Sequence, residues 1–203
     1  METLDQIKAR LAQVAPNAKV AIEGGALVVD RASLIEVSRV LRDDIALQLD
    51  YLSNLCAVDW LRRKEKAKEG DKEIEREVGG YLEVVYHLFS VPRRHGPMTM
   101  KCRTGDRDKD THMPSVTSVW RSAEFQEREA YDLYGIIFDG HPDLRRILMW
   151  PEFQDFPMRK DYKEPDDYEW EPTPHDETLD RARAVAGIVP PSAIEEADKA
   201  KKK

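Results

Sequence analysis

Leu4, Ile7, Leu11 and Val14 recur at intervals of three and four residues, the spacing that lines up side chains on one face of an α-helix. This predicts an amphipathic helix over residues 3–14, stopped before Pro16. The period then changes. VAIE and ALVVD flank Gly24-Gly25, two β-rich runs around a two-glycine turn, which is a strong hairpin signal. Ser33 and Glu36 have the spacing of a capping box and open a second helix to about residue 44. Leu34, Val37, Val40 and Leu41 form its buried stripe.

Residues 49–60, LDYLSNLCAVDW, are expected to form a strand with an imperfect alternation. Residues 62–79 carry almost no apolar side chains. Such a segment buries too little surface to offset its ordering entropy, so a long exposed loop or frayed helix is expected there. YLEVVYHLFS (81–90) is rich in β-branched and aromatic residues and forms the clearest strand, with MTMKCR (98–103) alternating beside it. TGDRDKDTHMP is a turn-rich loop. A helix is expected from about Ser118 to Tyr134, ended by Gly135, then a short extended IIF (136–138). DGHPDLRRILMWPEF should turn and continue as an extended or helical piece. Beyond residue 163 the chain turns to Pro, Asp and Glu, with two short helices expected near 176–186 and 192–200, the second capped by Ser192 and Glu195. The order predicts an α+β domain over residues 1–163, its mixed or antiparallel sheet covered by helices on one side, followed by an extended Pro-rich acidic tail over 164–203.

Charge and composition narrow the function. The net charge of the 203-residue chain is −7, against a nucleic-acid binder with a basic face. Its two cysteines, Cys56 and Cys102, are too few for an iron–sulfur cluster, which takes about four; they are expected to be reduced, buried thiols. The N-terminus lacks the apolar core of a signal peptide, and no apolar run approaches the ~20 residues of a membrane span. A soluble protein is therefore expected, with any membrane association made through a partner.

The helix ending at Tyr134 poses a sharper question. On a helical wheel Val119, Trp120, Ala123, Ala130, Tyr131 and Tyr134 share a sector roughly 120° wide. Glu127 falls inside that apolar sector. Glu124, Arg128 and Asp132 form a separate ridge at i, i+4 spacing, for which a solvated face is the plain reading. An unpaired carboxylate among apolar groups costs several kcal/mol or takes up a proton. Glu127 is then a catalytic acid or base, an internal partner of an arginine, or an edge residue that reaches water. Pairing of Glu127 or Glu129 with Arg145 or Arg146 is expected to pin the helix to the segment after it. In that case Glu127→Gln weakens the fold or its assembly and blocks no chemical step.

Autonomous chemistry has little support. There is no G-x-G-x-x-G after a strand, no P-loop and no G-x-S-x-G. The histidines, 87, 95, 112, 141 and 175, show no paired metal spacing; His141 before Pro142 suits a structural turn. A stand-alone hydrolase using Glu127 and Glu129 is disfavoured, because residues two apart on a helix do not face each other.

EREAYDLYGIIFDGHPDLRRIL (127–148) followed by FPMRKDY (156–162) closely resembles the 30-kilodalton subunit family of respiratory complex I, which in bacteria belongs to the NADH–quinone oxidoreductases. VVYHLFS (84–90), SVWRSAEFQ (118–126) and Asp59-Trp60 extend the resemblance over about residues 1–163. The charged 62–79 segment is longer than the family usually carries, LMWPEFQDFP replaces a glycine-richer spacer, and the tail has no familiar counterpart. The resemblance implies a structural subunit of the peripheral arm. It would bind no cofactor of its own, the NADH, FMN, iron–sulfur clusters and quinone belonging to other subunits. It would pack against the large 49 kDa-type quinone-site subunit and neighbouring iron–sulfur subunits, on the cytoplasmic side of the inner membrane. The alternative is the same module in a membrane-bound hydrogenase or another donor-coupled complex. Glu127, Arg128, Glu129, Asp132, Arg145, Arg146, Arg159, Lys160, Asp161 and Tyr162 are the expected structural and interface residues, their arginine-rich surface meeting the partner and the acidic 164–191 tail lying over it.

Overall fold

The computed structural model describes residues 2–69 and 72–163. Helix α1 (Leu4–Val14) starts at Thr3, whose hydroxyl accepts the Gln6 amide while the Gln6 side chain returns a bond to the Thr3 amide. Strands β1 (Val20–Glu23) and β2 (Ala26–Val29) pair across Gly24 and Gly25, at φ 54° and 75°. Both turn positions are left-handed, the conformation that glycine adopts without steric cost.

Helix α2 (Leu34–Asp43) lacks the expected cap. Asp30 instead caps a 3-10 turn over Arg31–Ser33, and the Ser33 hydroxyl accepts the Lys19 amide at 3.2 Å. The 3-10 turn puts Ser33 in helical backbone, at ψ −2°, whereas a capping residue normally needs extended backbone to turn its side chain back over the first turn.

Strands β3 (Tyr51–Trp60), β6 (Tyr81–Ser90) and β7 (His95–Arg103) form the centre of a five-stranded sheet ordered β1-β2-β7-β6-β3. Only β2 and β7 run parallel, so the sheet is mixed. Its inner face (Leu52, Leu55, Leu82, Val84, Tyr86, Met100) packs with Ile7 and Leu11 of α1 and with Leu34, Val37 and Leu41 of α2 into one core. A shift in register between Leu52 and Asn54 accounts for the imperfect alternation of β3. Cys102 is buried in this core. Cys56, expected to be buried, is exposed on the other face of β3; both thiols are free.

The charged 62–79 segment is neither loop nor frayed helix. Strands β4 (Arg63–Glu69) and β5 (Lys72–Val78) form an antiparallel ribbon. Arg63 stands opposite Val78 and Trp60 opposite Tyr81, so the ribbon continues the register of β3 and β6. That register sets residues 64, 66 and 68, all lysine, opposite 77, 75 and 73, all glutamate. Opposite charges at directly opposed positions stabilise an antiparallel ladder. Backbone pairing organises the segment.

Helix α3 (Ala123–Tyr134) begins five residues later than expected. Residues 116–122 form turns instead. Val116 O accepts from the amides of both Val119 and Trp120, the Trp120 indole donates to Leu49 O at 2.9 Å, and the Ser122 hydroxyl donates to Leu52 O at 2.8 Å. The Leu55 amide donates to the Gln126 side chain. These bonds cover the outer edge of β3, a strand edge that would otherwise be open to pairing with another chain. Gly135 ends α3 at φ 74°, and a Cβ there would lie 2.5 Å from the Phe156 ring. Short strands β8 (His112–Pro114) and β9 (Ile137–Asp139) pair in parallel. Residues 143–158 then run as turns and bends, not as the extended or helical piece expected. The expected tail helices, with their Ser192 and Glu195 cap, lie outside the described residues.

Candidate functional site

Glu127 is fully buried, as its wheel position requires. Its partner is not an arginine. One oxygen accepts the Ser115 hydroxyl at 2.6 Å and the other the Val116 amide at 2.7 Å. Burial pushes its pKa up to about 7 against the lowering effect of those two bonds. Glu127 thus holds the 115–116 turn to α3. Glu129 is exposed and lines a groove of about 230 Å³ with Cys56, Tyr134 and Met158. The two glutamates therefore face different surroundings, and neither meets Arg145 or Arg146.

The residue that pins helix to loop is Asp132. It is fully buried, and a single oxygen, Oδ2, accepts the consecutive amides of Ile147, Leu148 and Met149 at 2.9, 2.7 and 2.9 Å. The other oxygen takes Arg146 at 2.8 Å. Burial acts to raise the Asp132 pKa; the three amides and Arg146 outweigh it and hold the carboxyl below its usual range. Beside it Arg128 donates to the carbonyls of Arg145 and Arg146. The solvated face expected for Arg128 and Asp132 is thus a set of internal ties. The reason is the loop's backbone: turns leave amides and carbonyls unpaired, and the two side chains satisfy them. Arg146 also lies over the Phe153 and Phe156 rings, and Arg145 pairs with Asp143 at 2.9 Å. His141 locks the turn before them: its Nδ1 accepts the Asp143 amide, so its Nε2 donates to Glu124 O at 2.9 Å.

A second knot joins the next segment to β3. Arg107 donates Nε and Nη2 to the two oxygens of buried Asp59, both at 2.7 Å, and reaches Asp161 with Nη1 and Nη2. The Lys160 amide donates to Asp59 at 2.8 Å, and Arg159 donates to Tyr134 O and Asp108. Burial acts to raise the Asp59 pKa; Arg107 and the Lys160 amide prevail and lower it. Tyr162 closes the segment with its ring 6.4 Å from that of Phe153.

The structure thus gathers Arg128, Asp132, Arg145 and Arg146 at one knot and Arg159, Lys160 and Asp161 at the other. It leaves Glu127 and Glu129 outside both. The arginine-rich outer surface expected here is largely turned inward: Arg128, Arg146 and Arg159 serve the chain's own acceptors, and Arg145 remains the most exposed of them at 70%. Between its charged positions the clamped loop also shows apolar side chains to solvent, with Ile147, Leu148, Trp150 and Met158 exposed and Phe125 exposed on α3. Arg107 was missed in the sequence because GDRDKD has the composition of a solvated turn. Among the described residues no group of His, Cys, Asp and Glu is placed to hold a metal, and no helix is long and apolar enough to cross a membrane.

The class of protein so defined is an α+β sheet domain whose loop after α3 is tied back at two buried carboxylates. Residues 27–168 match the model of the respiratory-chain NADH dehydrogenase 30 kDa subunit, and the chain belongs to that family. It is 41% identical over 137 residues to the second C-type NADH-quinone oxidoreductase subunit of Rhizobium meliloti, covering 68% of this chain and 65% of that protein. It is 39% identical over 156 residues to the C-type NADH-quinone oxidoreductase subunit of Brucella abortus, covering 77% and 68%. For the Rhizobium proteins the match spans about three fifths to two thirds of their length. Among solved structures, a chain of an archaeal membrane-bound sulfane sulfur reductase shares the fold at TM-score 0.50 and 22% identity, over 78% of this chain and 85% of that one. The trypsin-resistant fragment of Nqo5 aligns at TM-score 0.43 and 28% identity, over 70% and 96%.

Proposed function

We propose that this chain is a structural subunit of the peripheral arm of a proton-translocating NADH–quinone oxidoreductase. In this reading it binds no cofactor itself and lies on the cytoplasmic side of the inner membrane. It packs against the large quinone-site subunit, next to the iron–sulfur subunits, and positions them. NADH, flavin, clusters and quinone belong to those neighbours. The observation that carries the reading is the loop after α3. Two buried carboxylates, Asp132 and Asp59, hold residues 146–161 in place, and the loop so held exposes Leu148 and Met158, 57% and 54% accessible. A loop fixed in this way loses little entropy on docking, and apolar contacts supply the affinity. The naming of the relatives favours an NADH-driven complex over a hydrogenase-type one.

The test is purification of the tagged full chain from its own cells. Flavin, iron–sulfur subunits and NADH-driven quinone reduction are expected to co-purify. Leu148→Asp should reduce that recovery at least tenfold with the melting temperature unchanged. A chain recovered alone, holding a metal centre or turning over without companions, overturns the proposal; hydrogenase subunits in place of flavin would assign it to the sister complex.

A further inference from the structure

A second surface lies at the other end of β3 from the Arg107 knot, roughly 25 Å along the strand at 3.3 Å per residue. There Tyr51, Ser53, Phe89, Ser90, Val91, Arg94, His95 and Gly96 line a groove of about 430 Å³. Its apolar rim continues outward: Tyr51, Val91 and Ile45 are among the most exposed large apolar side chains in the chain, Ile45 at 78%. Arg93 joins Ile45 to this rim by donating to the Ile45 carbonyl and to the Gln48 side chain.

Arg10, Arg31, Arg103, Arg107, Arg146 and Arg159 all pair with carboxylates. Arg93 binds two neutral acceptors, and Arg94 makes no ion pair among the described residues. The nearby Asp50 carboxylate is engaged by the Val91 amide at 2.9 Å. His95 has a buried Nδ1 without a hydrogen-bond partner among the described residues. Arg94 also holds a left-handed backbone, φ 52°, which costs about 1–2 kcal/mol for a non-glycine residue. The turn is firmly built around it: the Arg93 amide donates to the Ser90 hydroxyl and the Arg94 amide to Val91 O.

From this we infer that the groove beside the Val91–His95 turn docks an acidic segment of a partner protein, anchored by one apolar side chain between Tyr51, Phe89 and Val91. The Arg94 guanidinium, on the groove wall, meets a carboxylate of the segment, and bidentate geometry suits arginine to that task; Arg93 stands on the rim, tied to Ile45 and Gln48. A lipid surface fits less well. Surface recognition of an anionic bilayer takes about 4–8 clustered cations, more than the Arg93-Arg94 pair this turn supplies. A concave groove that admits one or two side chains suits a peptide. The inference is independent of docking at the 146–161 loop.

The experiment titrates the full-length chain with three end-blocked synthetic peptides, read by calorimetry. One is acidic with a central Phe-Leu pair, one acidic with Ser-Ser at the centre, one basic with Phe-Leu. The acidic Phe-Leu peptide should bind with a sub-millimolar Kd, at least tenfold tighter than the others, and lose about tenfold in 0.5 M NaCl. Val91→Ser and Arg94→Asn should each weaken it at least fivefold. Arg94→Asn should keep or raise the melting temperature, because asparagine tolerates the left-handed backbone. That combination separates a docking role from a structural one. Equal binding of the three peptides, unchanged binding by Arg94→Asn, tighter binding to phosphatidylglycerol vesicles, or self-association abolished by Arg94→Asn would each overturn the inference.

Discussion

Two carboxylates on one helix, five residues apart, behave in opposite ways. Both are fully buried. Asp132 has four donors, three of them on one oxygen, and its pKa is lowered; Glu127 has two, and its pKa is raised to about 7. The donors decide the sign: at Asp132 three amides and the Arg146 guanidinium outweigh burial, whereas at Glu127 one hydroxyl and one amide do not. The consequences for stability follow. Glu127 has an ordinary value of 4.5 and is raised in the folded state, so the folded state holds its proton longer than the unfolded one. Stability therefore falls as pH rises between about 4.5 and 7, by roughly 3 kcal/mol in total. Glu127→Gln should abolish that decline, leaving urea midpoints flat from pH 5 to 8. Asp132 and Asp59 act at the acid end: their contributions are present above the usual carboxylate range and are lost as pH falls through their lowered values. Asp132→Asn removes the charge facing Arg146 and weakens three amide bonds. It should cost about 3 kcal/mol in urea unfolding at pH 7. The wheel placed Glu127 inside correctly. It could not supply Ser115, a residue twelve positions away whose approach depends on how the chain turns before α3.

At the scale of elements, hydrophobic periodicity located the strands and helices that bury a face: α1, α2, the β1–β2 hairpin, β6 and β7. It failed where another force organises the backbone. The β4–β5 ribbon lacks apolar alternation, and its cue in the sequence was two runs of alternating charge on either side of the turn-forming pair Gly-Asp. A two-stranded ribbon by itself adds little stability. Replacing residues 63–78 by a two-residue turn should leave the thermal midpoint of the remaining sheet within a few degrees. A larger fall would mean the ribbon braces β3 and β6. The start of α3 slipped for a different reason: Trp120 and Ser122 bind carbonyls of residues 49 and 52, contacts that draw the chain out of helical geometry.

For the whole molecule, Arg107 is the joint. It ties the end of β3, the 104–110 loop and the 159–161 segment together through Asp59 and Asp161. Arg107→Ala leaves Asp59 buried without its cation, a loss of about 3–5 kcal/mol. It should also free the following segment, so that trypsin cleaves after Arg159 or Lys160 well before the core. Asp161→Asn should do much less, since that side chain is 61% exposed and solvent screens its contribution.

Taken alone, the sequence determined the α+β class, the sheet's apolar face and the apolar stripe on which Glu127 lies, all of which follow from local period, and it carries the ordered run of residues on which the family resemblance rests. It did not fix which polar side chains would be inside: Cys56 is exposed, while Arg128 and Asp132 are buried. Which donors each buried charge would meet was decided only by the tertiary structure. Asp132 reaches amides fifteen residues on, and Asp59 meets Arg107 and Lys160, forty-eight and one hundred and one residues away. Spacing along a chain carries no record of such pairings; they exist once the strands and turns have brought the backbone together.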